Sequence, residues 1–115
     1  MSVKTIEKML GWVEDNIKEN PTLAGMSDHV GYSSFYCSIK FHEFVGVTFK
    51  QYIAKRRLSL AVTEIKNTNR RFLDIAIDYG FSSQEAFTRA FVNAYGCTPY
   101  QYRKHMPEVL PYGRP

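Results

Sequence analysis

Apolar residues recur at helical spacing along almost the whole chain. Ile6, Leu10, Val13 and Ile17 stand three or four positions apart, the stripe that a helix buries on one side. Asn20-Pro21, inside "ENPT", is where that helix is expected to end. A short helix is expected from Leu23 to His29, broken at Gly31. Ser33 or Ser34 is placed to cap a third helix, which should run to Val45 and stop at Gly46. Thr48 opens a long helix with Gln51 positioned to complete a capping box, and that helix should reach Lys66 before the turn-forming "NTNR". The cycle then restarts. Leu73 to Tyr79 forms a short helix, Gly80 breaks it, Ser82 and Glu85 suggest a second capping box, and the next helix runs to Ala94 and ends at Gly96. Thr98 caps a last helix with Pro99 in its first position, where a missing N–H costs nothing. Alternating strand patterns are absent, so the expected fold class is all-α.

The restart is visible in the letters. "GYSSFYCSIKFHEFVGVTFKQY", residues 31–52, and "GFSSQEAFTRAFVNAYGCTPYQY", residues 80–102, both run Gly, aromatic, Ser, Ser. Both then place a Phe five residues before a second Gly, followed by one residue, a Thr, two more residues and Gln-Tyr. Each is a short helix, a glycine turn and a second helix, the helix-turn-helix pattern. On a wheel of about 100° per residue, the long helix between them carries two apolar arcs. Phe49, Ile53 and Leu60 fall in one; Ala54, Leu58, Ala61, Val62 and Ile65 fall in the other. Two arcs suggest a connector buried against both repeats. The expected organisation is a first subdomain over residues 1–47, a connector over 48–66, a second subdomain over 67–105 and a linker-like tail over 106–115, where three prolines and a glycine fall within ten residues.

The second helix of the second repeat divides cleanly. With Gln84 at zero on the wheel, Thr88, Glu85 and Arg89 lie at about 40°, 100° and 140°, while Phe87, Phe91, Ala86, Ala90 and Ala94 lie between about 200° and 340°. Gln, Glu, Thr and Arg are side chains that read base edges in a major groove. The same pattern fits an ordinary solvated face, with Glu85 and Arg89 as an i,i+4 ion pair worth a few tenths of a kcal/mol.

Composition narrows the classes. At 115 residues with 44% hydrophobic and 15% aromatic content, the chain can bury a core. No apolar run approaches the roughly 18–20 residues of a membrane span, and the charged N-terminus is no signal peptide. Cys37 and Cys97 suggest neither a disulfide framework nor a zinc site, so a cytoplasmic home is expected. His29, His42 and His105 share no ligand spacing, and neither a nucleophile elbow nor a glycine-rich phosphate loop is present. No cofactor and no catalysis are expected. Trp12 is expected in the core. The net charge of +4 is segregated: residues 1–47 hold four Lys/Arg and six Asp/Glu, residues 48–115 eleven and five. Net values of −2 and +6 hint at a polyanionic partner, although a solubilising surface would look the same.

The second repeat, "DIAIDYGFSSQEAFTRAFVNAYGCTPYQYR", closely resembles the signature of AraC/XylS-type transcriptional regulators through Ala76, Gly80, Phe81, Ser83, Phe87, Arg89, Phe91, Gly96, Thr98, Pro99 and Tyr102. The first repeat is similar to its family counterpart through Leu23, Val30, Gly31, Tyr32, Ser33, Phe41, Gly46, Tyr52 and Ile53, and the connector is similar too. The resemblance implies seven helices: two helix-turn-helix units joined by a long helix that spaces two recognition helices for successive major-groove segments of double-stranded DNA. It implies a sequence-specific transcription regulator that binds as a monomer, away from membranes, with RNA polymerase as a partner if it activates. Carried over residue by residue, it gives Gln84, Glu85, Thr88 and Arg89 as base-facing, with Phe35, Ser38 and Ile39 in the first unit. Lys40, Arg56, Arg57, Arg70, Arg71, Ser83 and Arg103 are the expected backbone contacts. The first unit departs from the family: Ile39 stands where Arg is frequent, Lys40 where an apolar residue is usual, and Ser27 where a small Ala is usual. Phe35 and Ile39 could instead fold inward. If they and Phe44 formed an exposed strip, the alternative would be a helical protein-interaction module. Relatives often carry a ligand-sensing domain; the starting Met favours a short regulator or an N-terminal DNA-binding half.

Overall fold

The computed structural model describes residues 2–105; the linker-like tail expected over 106–115 lies outside the described residues. Seven α-helices follow in order: α1 Val3–Asp15, α2 Leu23–Val30, α3 Ser34–Val45, α4 Phe49–Asn67, α5 Phe72–Asp78, α6 Gln84–Tyr95 and α7 Pro99–His105. No strand occurs among the described residues, and none of the helices is long and apolar enough to cross a membrane. The fold is all-α, as the periodicity predicts.

The caps explain where the helices start. Thr48 and Gln51 close a reciprocal box at the head of α4, with N···O distances of 3.0 and 3.1 Å. Thr98 and Gln101 repeat it at the head of α7, at 2.9 and 3.0 Å. Ser33 Oγ accepts from the Tyr36 N–H to open α3. At α6 the cap is Ser83, which accepts from the Ala86 N–H at 3.0 Å, and the expected box of Ser82 with Glu85 is not made. Phe81, ahead of this cap, has its ring 5.2 Å from that of Phe87, and Ser83 itself is extended at φ −159° and ψ 167°. α1 also ends earlier than expected. Asn16 Nδ2 donates to the Trp12 carbonyl, a 3-10 turn over Ile17–Glu19 follows, and Asn20 turns the chain at φ +58°.

The chain divides into two compact units, one ending at Lys55 and the other beginning at Arg56, within α4. In the first, Ile6, Met9, Leu10 and Val13 of α1, Met26 of α2 and Cys37 and Phe41 of α3 are buried, with Tyr52 and Ile53 from the start of α4. Phe41 meets Phe49 and Tyr52 edge-on at 5.7 and 5.5 Å. Trp12 is half-buried rather than central, and its ring sits where a Cβ on Gly25 would come within 2.9 Å. In the second unit, Leu58, Ala61, Val62 and Ile65 of α4 pack with Ile75, Ala76, Tyr79, Phe87, Phe91 and Tyr102.

Two positions on α4 depart from the wheel. Leu60 packs on the second cluster, although its angle groups it with Phe49 and Ile53. Seven residues separate Leu60 from Ile53, roughly 10 Å along the axis at 1.5 Å per residue, and a wheel carries no information about height. Ala54, expected to be buried, is exposed.

Tyr79 is buried, and its phenol is held well above the ordinary value of about 10, first by burial and then by its hydrogen bond to Glu64. Burial raises Tyr95 as well. In the unfolded chain both phenols ionise near the ordinary value, whereas the fold keeps them neutral. Their contribution is therefore complete below pH 10 or so and is lost progressively as pH rises from that value toward the raised native ones. Denaturant unfolding of the intact chain followed by circular dichroism should show stability falling above that pH. Tyr79→Phe should lower the baseline but make the alkaline fall shallower.

Candidate nucleic-acid interface

In the second unit α5 and α6 meet at a tight turn. Gly80 adopts φ +80°, a conformation that strains any residue with a Cβ, and the Phe81 N–H donates to the Ala76 carbonyl at 3.0 Å. From this turn α6 commits one side to the interior. Phe87 and Phe91 are fully buried, with ring centroids 6.0 Å apart, and Phe91 also meets Tyr95 and Tyr102 at 5.0 and 5.9 Å. Ala86 and Ala90 are half-buried beside them, while Ala94 is exposed. The other side faces outward: Gln84, Glu85 and Arg89 are exposed, and Thr88 is half-buried. Glu85 and Arg89 make no ion pair among the described residues, leaving their donors and acceptors open.

α2, Gly31 and α3 repeat the arrangement in the first unit, with Gly31 at φ +83°. Cys37 and Phe41 point inward, whereas Phe35 is 78% exposed and Ile39 46%. The structure thus presents both residues to solvent and not to the core. Ser38 lies exposed with them, and Phe44, also exposed, falls about 180° around the helix from Phe35. Ser27, standing where the family usually has Ala, is buried but satisfied, its hydroxyl donating to the Leu23 carbonyl at 2.8 Å.

A further outward residue, on the same face of α3 as Phe35, Ser38 and Ile39, escaped the sequence reading. His42 lies seven positions after Phe35, at about 340° on the same wheel and so between Ser38 and Ile39. It is exposed, and with Ser38, Ile39, Glu43 and Thr48 it lines an open groove of about 430 Å³. Carrying the wheel one turn further along α3 would have found it.

The basic residues divide by what they touch. Arg70 sets its two guanidinium nitrogens against Glu64 Oε1 at 2.6 Å and Asp78 Oδ2 at 2.7 Å. Those bonds, Glu64 first, hold its pKa above the usual arginine value. Arg103 Nε donates to the Ile65 carbonyl at 3.1 Å near the end of α4, and its guanidinium lies 4.5 Å from the Phe72 ring centre. Arg57 is half-buried against the turn, where a Cβ on Gly80 would come within 2.8 Å of its Nη1, and burial lowers its pKa. Arg56 is half-buried too. Arg71 is exposed and, among the described residues, pairs with Asp74 at 3.0 Å. Lys40 meets Glu43 at 3.4 Å and lies 5.7 Å from the Tyr36 ring centre. Ser83 is occupied as the α6 cap. Among the described residues no group of three or more His, Cys, Asp or Glu side chains could hold a metal ion.

Comparison with known proteins agrees with this geometry. A model of a helix-turn-helix domain family matches residues 26–105. The transposon Tn10 TetD protein of Escherichia coli is 36% identical over 100 residues, spanning 87% of this chain and 72% of TetD. The multiple antibiotic resistance protein MarA of Escherichia coli strain K12 is 34% identical over 99 residues, 86% of this chain and 78% of MarA. The crystal structure of an AraC-type transcriptional regulator from Chromobacterium violaceum shares the fold with a TM-score of 0.83 at 24% identity, covering 89% of this chain and 91% of that one.

The two adjacent arginines should separate experimentally. Arg70→Ala removes the link between α4 and α5 and leaves two carboxylates facing each other, so thermal unfolding of the free protein should shift to lower temperature. Arg71→Ala removes an exposed i,i+3 pair of the kind that contributes little, and its melting curve should overlay that of the parent. The opposite ranking would mean that Arg70 does not tie the helices together.

Proposed function

The chain belongs to the AraC/XylS-type family of helix-turn-helix, DNA-binding transcription regulators, and on that basis we propose how its two recognition helices share the reading of duplex DNA. The observation that carries this reading is the division of α6, with Phe87 and Phe91 fully buried and Gln84, Glu85 and Arg89 exposed. In the major groove Arg89 can fork onto guanine, Gln84 onto adenine, Glu85 can accept from the cytosine amino group, and Thr88 can serve several partners. The first unit offers Phe35, Ser38 and Ile39, with a single hydroxyl among them. Apolar side chains meet thymine methyls but cannot separate all four base pairs. α6 therefore dictates sharply defined bases, and α3 reads methyl groups and shape.

Backbone contacts fall to cations whose internal bonds are exposed and weak enough to be exchanged for phosphate, Arg71 foremost, while Lys40 adds its charge from its place beside Glu43. Arg57 and Ser83 lie at the α5–α6 turn and Arg56 precedes Arg57 within α4, where phosphates would pass. Arg70 and Arg103 act in this scheme by holding α4, α5 and α7 together. Two reading helices in one chain replace the symmetry of a dimer, so the chain binds as a monomer. Its work is binding rather than catalysis, carried out in the cytoplasm, with RNA polymerase as the protein partner where it activates.

Duplex affinity should fall steeply with salt, as counterion release requires. Arg89→Ala should cost about 1–3 kcal/mol on the preferred site and relax discrimination at one base pair, with helicity and melting temperature unchanged. A large drop in melting temperature would show that Arg89 serves the fold instead.

Selection from random duplexes should return one well-defined half-site and a looser, A·T-leaning half about one helical turn, roughly 34 Å, away. Ile39→Arg should sharpen the loose half. Equal information in both halves for the parent would overturn the proposed division of labour.

A further inference from the structure

We propose that the groove beside α3 is a binding site for a DNA phosphodiester, in which His42 supplies a proton-dependent positive charge to the first unit's grip. This rests on the duplex-binding reading above and adds to it a residue and a response to pH. Three observations meet here. His42 shares its face of α3 with Phe35, Ser38 and Ile39, so a duplex seated on that face brings its backbone alongside. It stands in the third turn of α3, away from the N-terminal end by which a recognition helix reaches base edges. The groove itself is lined by hydrogen-bond donors: the Ser38 hydroxyl, the His42 imidazole and Thr48.

Thr48 is poised for such a contact. Its Oγ1 accepts from the Gln51 N–H at 3.1 Å, which fixes the oxygen while leaving the hydroxyl proton to donate. Among the described residues, the other titratable group lining the groove is Glu43, and its carboxylate is met by Lys40 Nζ at 3.4 Å. Thr48, just ahead of α4, lines the groove from the other side and is uncharged. A phosphate entering the groove therefore meets one carboxylate already accompanied by a cation, two hydroxyls and one imidazole. A neutral imidazole offers a single N–H, whereas the protonated ring offers two and a full positive charge. Histidine is the side chain that makes this change between about pH 5 and 8.

The test compares the parent with His42→Gln and His42→Lys on one selected duplex at pH 7.5 and pH 5.5, across a salt series. The parent should bind about fivefold tighter at the lower pH, and its salt slope should steepen by about 0.9, the increment for one further neutralised phosphate. His42→Gln should bind alike at both pH values with the shallower slope, and His42→Lys should bind alike at both with the steeper one. His42 is exposed, so neither variant should change helicity. In the parent, one uncharged methylphosphonate linkage opposite the first unit should abolish the pH response without changing the preferred sequence.

If the His42→Gln variant retains the parent's pH response and slope, the phosphate assignment is overturned while duplex binding stands. A changed base preference in His42→Gln would also overturn it, by making His42 a base reader. Absence of any salt-dependent duplex binding by the parent would overturn this inference together with the reading beneath it.

Discussion

Phe87 and Phe91, one helical turn apart, decide what α6 can do. Both are fully buried, and their rings interlock with Phe81, Tyr95 and Tyr102. Buried aromatic pairs of this geometry contribute beyond their area alone, and no rotation of α6 keeps both rings inside while turning Arg89 away from solvent. The outward set of Gln84, Glu85 and Arg89 is thus a consequence of packing. The same logic holds in the first unit, where Cys37 and Phe41 are buried and push Phe35 and Ile39 outward. One framework is used twice with different outward chemistry, because the core fixes orientation and leaves the exposed positions open to change.

Much of this was legible because it is local. A capping box depends on two residues three positions apart, and Thr48 with Gln51 and Thr98 with Gln101 stand in the chain as they do in the structure. The wheel of α6 succeeds because both of its sides are set by residues within twelve positions. Reading failed where neighbours competed or distance entered. Ser82 and Ser83 are indistinguishable as letters, and it is the second that caps α6. Leu60 shares an angle with Ile53 but not a height along α4. His42 was legible on the same wheel that found Phe35, since seven residues return almost to the same angle.

The arginines were the least legible, for a different physical reason. Arg70 and Arg71 are adjacent letters with identical chemistry, yet one ties two helices and the other rests on the surface. The difference lies in Glu64 and Asp78, six and eight residues away in opposite directions, which converge only once α4 and α5 have packed. Arg103 reaches a carbonyl 38 residues earlier in the chain. No periodicity encodes such meetings, so a basic pair read from sequence gives a charge but not its use.

That distinction separates two electrostatic roles that the +6 balance of residues 48–115 had merged. Long-range attraction toward a polyanion depends on summed charge, and an arginine paired with a carboxylate still enters that sum alongside its partner. Bonds to individual phosphates depend instead on donors that can leave their present partners at little cost. Arg70 cannot do so without opening the α4–α5 link, and Arg103 cannot without releasing the end of α4. The excess of basic residues in the second half therefore measures a long-range attraction, whereas only cations with exchangeable bonds, such as the exposed Arg71 beside Asp74, are free to take up a new acceptor. Part of the basic character that looks like binding surface is internal scaffolding that ties α4, α5 and α7 together.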